Sequence, residues 1–177
     1  MKCPTCKNNN LSPTKLDEEL PVLGCRDCGG TLVSLLYYRD WAERSANNDE
    51  IDSEVSVEQP EDSQTALSCP KCQRLMTKYT ISGSTNNKLD LCGSCDEAWI
   101  DGGEWELLKS LKLSKNFPAV FSDVWQRKVR KEISEAKHIE RFTEILGSED
   151  TEKANQFRLW IKDHPRRAEI LFFVGKS

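Results

Sequence analysis

The chain has 177 residues, enough for one ordinary domain or two small ones and too few for a large multidomain enzyme. Its hydrophobic share of 37%, charged share of 31% and mean hydropathy of −0.62 fall on the polar side of the ~45–50% apolar content usual in globular domains. The net charge of −4 divides unevenly: residues 1–108 carry 10 Lys/Arg against 19 Asp/Glu, a balance of −9, and residues 109–177 carry 15 against 10, a balance of +5. No apolar run approaches the ~18–20 residues that span a bilayer, and Met1-Lys2-Cys3-Pro4-Thr5-Cys6 has no apolar segment to act as a signal peptide. The expected location is the cytoplasm, where thiols stay reduced and patterned cysteines point to metal or redox chemistry before disulfides.

The eight cysteines form four C-x2-C pairs: Cys3/Cys6, Cys25/Cys28, Cys69/Cys72 and Cys92/Cys95. Eighteen residues separate the first two pairs and nineteen the last two, so the chain repeats itself at an offset of 66–67 residues. Two copies of C-x2-C-x15–20-C-x2-C have the spacing of zinc sites. Zinc takes four tetrahedral ligands at about 2.3 Å from sulfur. One C-x2-C turn brings two thiolates together, and a hairpin of about twenty residues sets the second turn opposite the first. A rubredoxin-type iron site and a redox dithiol are the rival readings. The dithiol reading lacks the βαβ context that a thioredoxin-like pair requires.

In chain order, the first repeat has poor strand material at Asn8-Asn9-Asn10 and Ser12-Pro13, and returns to Cys25 through Leu20-Pro21-Val22-Leu23-Gly24. Residues 45–68 hold seven acidic residues and no Lys or Arg, with few apolar ones. They read as a self-repelling flexible linker, with an acidic interaction segment as the rival. The second repeat offers a strand over Leu75–Ile81, a turn cluster at 82–87, and a return strand through Leu89 and Leu91. Beyond it the pattern turns helical. Trp105, Leu108 and Leu111 make one stripe, with Gly102-Gly103 as the turn before it. Phe121, Trp125, Val129 and Ile133 open a longer amphipathic stripe between Pro118 and Gly147. A third helix capped by Asp150 or Thr151 carries Phe157 and Trp160, and residues 165–174 favour a fourth over a strand.

Cys69-Pro70-x-Cys72 and Cys92-x-x-Cys95, followed by Trp99-Ile100-Asp101-x-Gly103-Glu104-x-x-Leu107, resemble the TFIIB-type zinc-ribbon family of bacterial proteins over residues 69–108. Residues 1–41 resemble it through Cys3-Pro4-x-Cys6 and Cys25-x-x-Cys28-Gly29-Gly30. That first copy then departs. Leu32, Val33 and Ser34 stand where Trp99, Ile100 and Asp101 stand in the second, and no Gly-Glu pair follows to signal a helix. The resemblance implies four-cysteine, all-thiolate zinc sites and members of diverse roles, and it favours zinc over iron.

The expected fold is therefore α+β and metal-stabilised: zinc-ribbon hairpins at 1–44 and 69–113, the linker at 45–68 between them, and a basic α-helical region at 114–177. Two zinc ions per chain are expected. The ribbons are expected to depend on separate ions, so that loss of Cys92 unfolds the second alone. A closed shell of four thiolates leaves no position for a reacting water. His138 and His164 have no nucleophile pattern beside them and read as helix-surface or capping residues. The chain thus reads as a non-enzymatic adaptor that docks a protein assembly or nucleic acid, in transcription or another nucleic-acid process. No membrane partner and no small-molecule substrate are expected. The candidate contacts are Arg127, Lys128, Arg130 and Lys131 on the long helix, with Arg166 and Arg167 at the last element. Against them, Glu132, Glu135, Glu140 and Glu144 share the long helix, so a solvated mixed-charge face is the plainer reading. The alternative function is a protein-interaction or self-assembling structural protein, which leaves homo-oligomerisation open.

Overall fold

The computed structural model describes residues 1–17, 19–45, 60, 63 and 65–176. Most of the acidic stretch at 45–68 lies outside the described residues. The chain is α+β, with a six-stranded antiparallel sheet and six helices among those residues, and it forms two compact units, 1–130 and 131–177.

The sheet belongs to the first unit. Its strands are β1 (Ser12–Leu16), β2 (Leu20–Gly24), β3 (Thr31–Ser34), β4 (Thr77–Thr80), β5 (Lys88–Cys92) and β6 (Glu97–Ile100). They lie in the order β1-β2-β3-β6-β5-β4, and every neighbouring pair is antiparallel. Each repeat thus contributes three strands where the sequence predicts a hairpin of two. The extra strands are short apolar runs, Leu32-Val33 and Ala98-Trp99-Ile100, buried on both faces. Such runs lack the alternation that marks a half-exposed strand. Pro13 is tolerated because β1 is an edge strand. Pro21 sits on the inner strand β2 beyond the reach of β3, which pairs only with Leu23 and Gly24.

β3 and β6 join the two repeats. Leu32 pairs with Trp99, and these residues are equivalent at the 67-residue offset, so an approximate two-fold axis passes between them. The modules expected to stand apart across a linker therefore share one sheet.

Period-two alternation sorts the strand side chains onto two faces. Leu20, Val22, Val33, Leu89, Ala98 and Ile100 point to the larger core. That face is covered by α1 (Leu35–Ser45), α2 (Glu104–Ser110) and a 3-10 segment, Ser114–Phe121, broken at Asn116. The first repeat thus exits into a helix without the Gly-Glu signal. Leu35, Tyr38 and Trp41, at spacings of three, give α1 the apolar face it buries. Phe117 is fully buried at the centre, with its ring 4.4 Å from Tyr38, 6.0 Å from Trp105 and 5.8 Å from Phe121. The edge-to-face geometry of these pairs adds to their area burial. The Tyr38 hydroxyl donates to the Ser114 carbonyl oxygen at 2.8 Å, which anchors the 3-10 segment to α1.

Helix α3 (Asp123–Leu146) begins in the first unit. Trp125 Nε1 donates to the Ile81 carbonyl oxygen, and Gln126 Nε2 to that of Thr80, both at 2.9 Å. These bonds dock the helix start on the end of β4. Of the expected stripe, Val129 is buried, and Phe121 and Trp125 pack partly buried against the larger core. The rest of α3, with α4 (Ser148–Lys162) and α5 (Arg167–Val174), makes the second unit, and the segment left between helix and strand is helical. Phe157 and Trp160 of α4 are 37% and 56% exposed, with their rings tilted against each other and the centroids 5.7 Å apart. No helix among the described residues is long and apolar enough to cross a membrane.

Phe117→Ala is expected to cost about 3–5 kcal/mol of unfolding free energy, because it empties a packed aromatic centre. Phe173→Ala, at a position 81% exposed, should stay within about 0.5 kcal/mol in the same urea titration.

Candidate metal centres

The eight cysteines gather into two clusters, Cys3/Cys6/Cys25/Cys28 and Cys69/Cys72/Cys92/Cys95. Within each, all four sulfurs lie within 4.8 Å of one another. The Sγ atoms of Cys3 and Cys28 are 3.6 Å apart, and those of Cys6 and Cys25 and of Cys72 and Cys92 are 3.5 Å apart. A tetrahedron with metal–sulfur bonds of about 2.3 Å has edges of about 3.8 Å. A disulfide would need about 2.05 Å. The spacing suits a shared ion and excludes a bond between the sulfurs.

One local device builds all four turns. The residue after the second cysteine of each pair has positive φ: Lys7 at 58°, Gly29 at 71°, Gln73 at 64° and Asp96 at 54°. Its backbone N–H returns to the carbonyl oxygen of the first cysteine, at 3.2, 3.0, 2.8 and 3.0 Å respectively. The left-handed residue reverses the chain so that both thiols of a pair point to one side. Only one of the four positions is glycine, so three turns carry a conformational cost of ~1–2 kcal/mol each. The surrounding structure holds them.

Hydrogen bonds and burial act with different weight on the individual sulfurs, which makes their ionisation uneven. Burial works against ionisation of Cys25, but the backbone N–H groups of Cys28 and Asp27 and the thiols of Cys6 and Cys28 outweigh it and bring it down to about 7. Cys72 also falls to about 7, chiefly through the Arg74 backbone N–H and then the Cys95 thiol. Cys95 is pushed up to about 12, first by its hydrogen bond to Cys72 and then by burial. Cys3, Cys28 and Cys69 are raised, with burial the largest cause. In each cluster one thiol, Cys25 or Cys72, thus ionises more readily than an ordinary cysteine, while Cys3, Cys28, Cys69 and Cys95 hold their protons more tightly. A divalent, sulfur-seeking cation held by the four sulfurs would displace the remaining thiol protons. The donor set fits such an ion with four ligands and a closed shell.

Both clusters line one smaller core, with Leu11, Leu32, Leu67, Met76 and fully buried Trp99 between them. Trp99 Nε1 donates to Asp101 Oδ1 at 2.8 Å, and the Thr5 hydroxyl donates to the same oxygen at 3.0 Å. Asp101 Oδ2 accepts the Ser63 backbone N–H at 3.0 Å. Buried Glu104 accepts the Asp101 backbone N–H at 2.9 Å and the Asn87 amide at 3.3 Å. Asn87 also donates to the Pro60 carbonyl oxygen at 2.9 Å. The Trp-x-Asp-x-x-Glu stretch, singled out in the sequence as a family mark, is thus the polar brace of both repeats. The roles of Asn87 and Thr5 carry no sequence signal, because both lie in turns whose composition explains them. Gly103, with φ of 88°, makes the expected turn into α2.

The other sequence candidates lie on helices. Arg127, Lys128, Arg130 and Lys131 are exposed on α3; Lys128 stands 5.3 Å from the Trp125 ring centroid, and Arg127 Nε donates to the Asp123 carbonyl oxygen at 3.3 Å. Arg166 and Arg167 are exposed at the start of α5. The His138 ring lies 4.7 Å from Phe142 on the same helix, and His164 Nδ1 accepts the Arg166 backbone N–H at 3.1 Å. Comparison of the chain with protein-family models, curated proteins and solved structures finds no match.

Because β3 pairs with β6, Cys92→Ser should disturb both repeats. Amide signals near Cys25 and Cys28 are expected to move or broaden together with those near Cys95. Signals of the first repeat that match the unaltered protein would mean that the repeats fold separately.

Proposed function

We propose that this chain is a zinc-binding adaptor with no catalytic centre of its own, in which two structural zinc ions hold a pair of ribbons of the TFIIB type. The observation that carries the reading is the pair of four-cysteine clusters, in which sulfurs approach one another to 3.5–3.6 Å and all four of each cluster lie within 4.8 Å. Four thiolates complete the tetrahedral shell that zinc prefers, so the ion cross-links strands instead of activating water. A thiol-rich protein of this kind belongs in a reducing compartment such as the cytoplasm.

The adaptor's partner is a macromolecule, and the helical region is the part offered to it. Arg127, Lys128, Arg130 and Lys131 supply exposed charge suited to phosphate, as do Arg166 and Arg167. That pattern favours a role in transcription or another nucleic-acid process. The second reading is a protein-interaction or self-assembling protein with no nucleic-acid role. It is favoured by Phe172 and Phe173 on α5, which are 66% and 81% exposed.

Protein purified without added metal should carry two zinc ions per chain by elemental analysis, and chelation should unfold the sheet. One ion per chain, or an iron–thiolate absorption band, would contradict the assignment. Replacing Arg127, Lys128, Arg130 and Lys131 by Glu should weaken retention on DNA or RNA across sequences and flatten its salt dependence. If Phe172→Ala with Phe173→Ala lowers partner binding or self-association and the charge reversals do not, the second reading holds.

A further inference from the structure

We propose that residues 99–102 of the second repeat are the positioning element for the first repeat's metal site. The proposal rests on the zinc reading above, and it concerns which residues keep that site in shape.

Both turns of the first cluster lean on this stretch. Thr5, inside the Cys3–Cys6 turn, donates its hydroxyl to Asp101 Oδ1 at 3.0 Å, the oxygen that also takes Trp99 Nε1. On the other turn, Gly30 lies so close under the Trp99 indole that a Cβ there would sit 2.3 Å from a ring carbon. Gly102 lies against the Cys28 carbonyl oxygen, which a Cβ on Gly102 would meet at 2.3 Å. Trp99 and Asp101 are themselves buried, so the surface they present to the two turns is rigid.

At the equivalent positions the reverse support takes another form: the Leu35 backbone N–H donates to the Asp96 carbonyl oxygen at 3.0 Å. At the 67-residue offset, Trp99, Asp101 and Gly102 correspond to Leu32, Ser34 and Leu35, which offer neither an indole nor a carboxylate. Lys71, the counterpart of Thr5, instead pairs with Glu97 of its own repeat at 2.8 Å. The braces are therefore unequal. The second repeat fastens its own first turn, whereas the first repeat's two turns are fastened by the second repeat. Hydrogen bonds to a carboxylate are among the stronger ones, and outer partners of metal ligands typically set about 10–100-fold in metal affinity.

Thr5→Val in the full chain removes one hydroxyl from a residue at the surface and leaves the apolar core untouched, and Thr5→Ser restores a donor. Zinc would be withdrawn by a graded chelator, with backbone amide signals of Lys7 and Gly29 reporting the first site and those of Gln73 and Asp96 the second. The expected result for Thr5→Val is zinc loss from the first site at about 10–100-fold weaker chelation, an unchanged second site, and recovery in Thr5→Ser. Equal weakening at both sites, or at neither, would overturn the proposal. If the unaltered chain holds no zinc at either site, the zinc reading itself fails, an outcome seen before any variant is compared.

Discussion

Leu32 faces Trp99 across the β3–β6 pairing, and because the two occupy the same place in their repeats, the sheet of the first unit is internally an approximate two-fold dimer. The rest of the first unit depends on that pairing. A metal-tied hairpin of about forty residues cannot bury enough apolar surface to stand firmly by itself. Pairing doubles the sheet and creates one broad face for Tyr38, Trp41, Trp105 and Phe117 to cover. It also brings both cysteine clusters against one small core whose largest member is Trp99. A chain with only 37% hydrophobic residues thereby builds two cores without a long apolar run.

The polar groups follow the same economy. Asp101 is buried yet accepts from Thr5, Trp99 and the Ser63 backbone, so its charge is met by three donors drawn from three parts of the chain. Lys78 closes a second such contact, with its ammonium 2.8 Å from buried Asp90 and 3.0 Å from the Ser63 hydroxyl. Pro60 and Ser63, at the far end of the acidic stretch, are thus fastened to the second repeat. Buried charges of this kind add little net stability, but each is costly to orphan. They fix how the pieces fit, while the apolar faces supply most of the stabilisation. The second unit is built differently. Its helices bury Thr151 and Ile161 but leave Trp160, Phe172 and Phe173 exposed, so its apolar content is directed outward.

Much of this architecture is legible in the residues alone. The four C-x2-C pairs point to the thiols that gather into two clusters able to hold a metal ion, because the spacing within a pair is a local property of the chain and a tight turn can be recognised from four residues. The helices beyond residue 104 were legible for a similar reason: Trp105, Leu108 and Leu111, and then Trp125, Val129 and Ile133, recur at helical spacing, and Gly103 and Gly147 punctuate them. What the cysteine pattern could not convey is that the repeats share a sheet. The β3–β6 pairing joins residues 63 to 69 positions apart, and the runs that pair, Leu32-Val33 and Ala98-Trp99-Ile100, are buried on both faces and so carry no alternation to read. Helix α1 was obscured because its apolar positions follow a first-repeat strand that lacks the Gly-Glu turn. The brace from Thr5 to Asp101 joins residues 96 positions apart through single hydrogen bonds, and no local pattern encodes a contact of that separation. Cysteine spacing and helix periodicity are determined within a few residues of chain; sheet order, burial and the partnering of buried charges are decided only when distant segments pack.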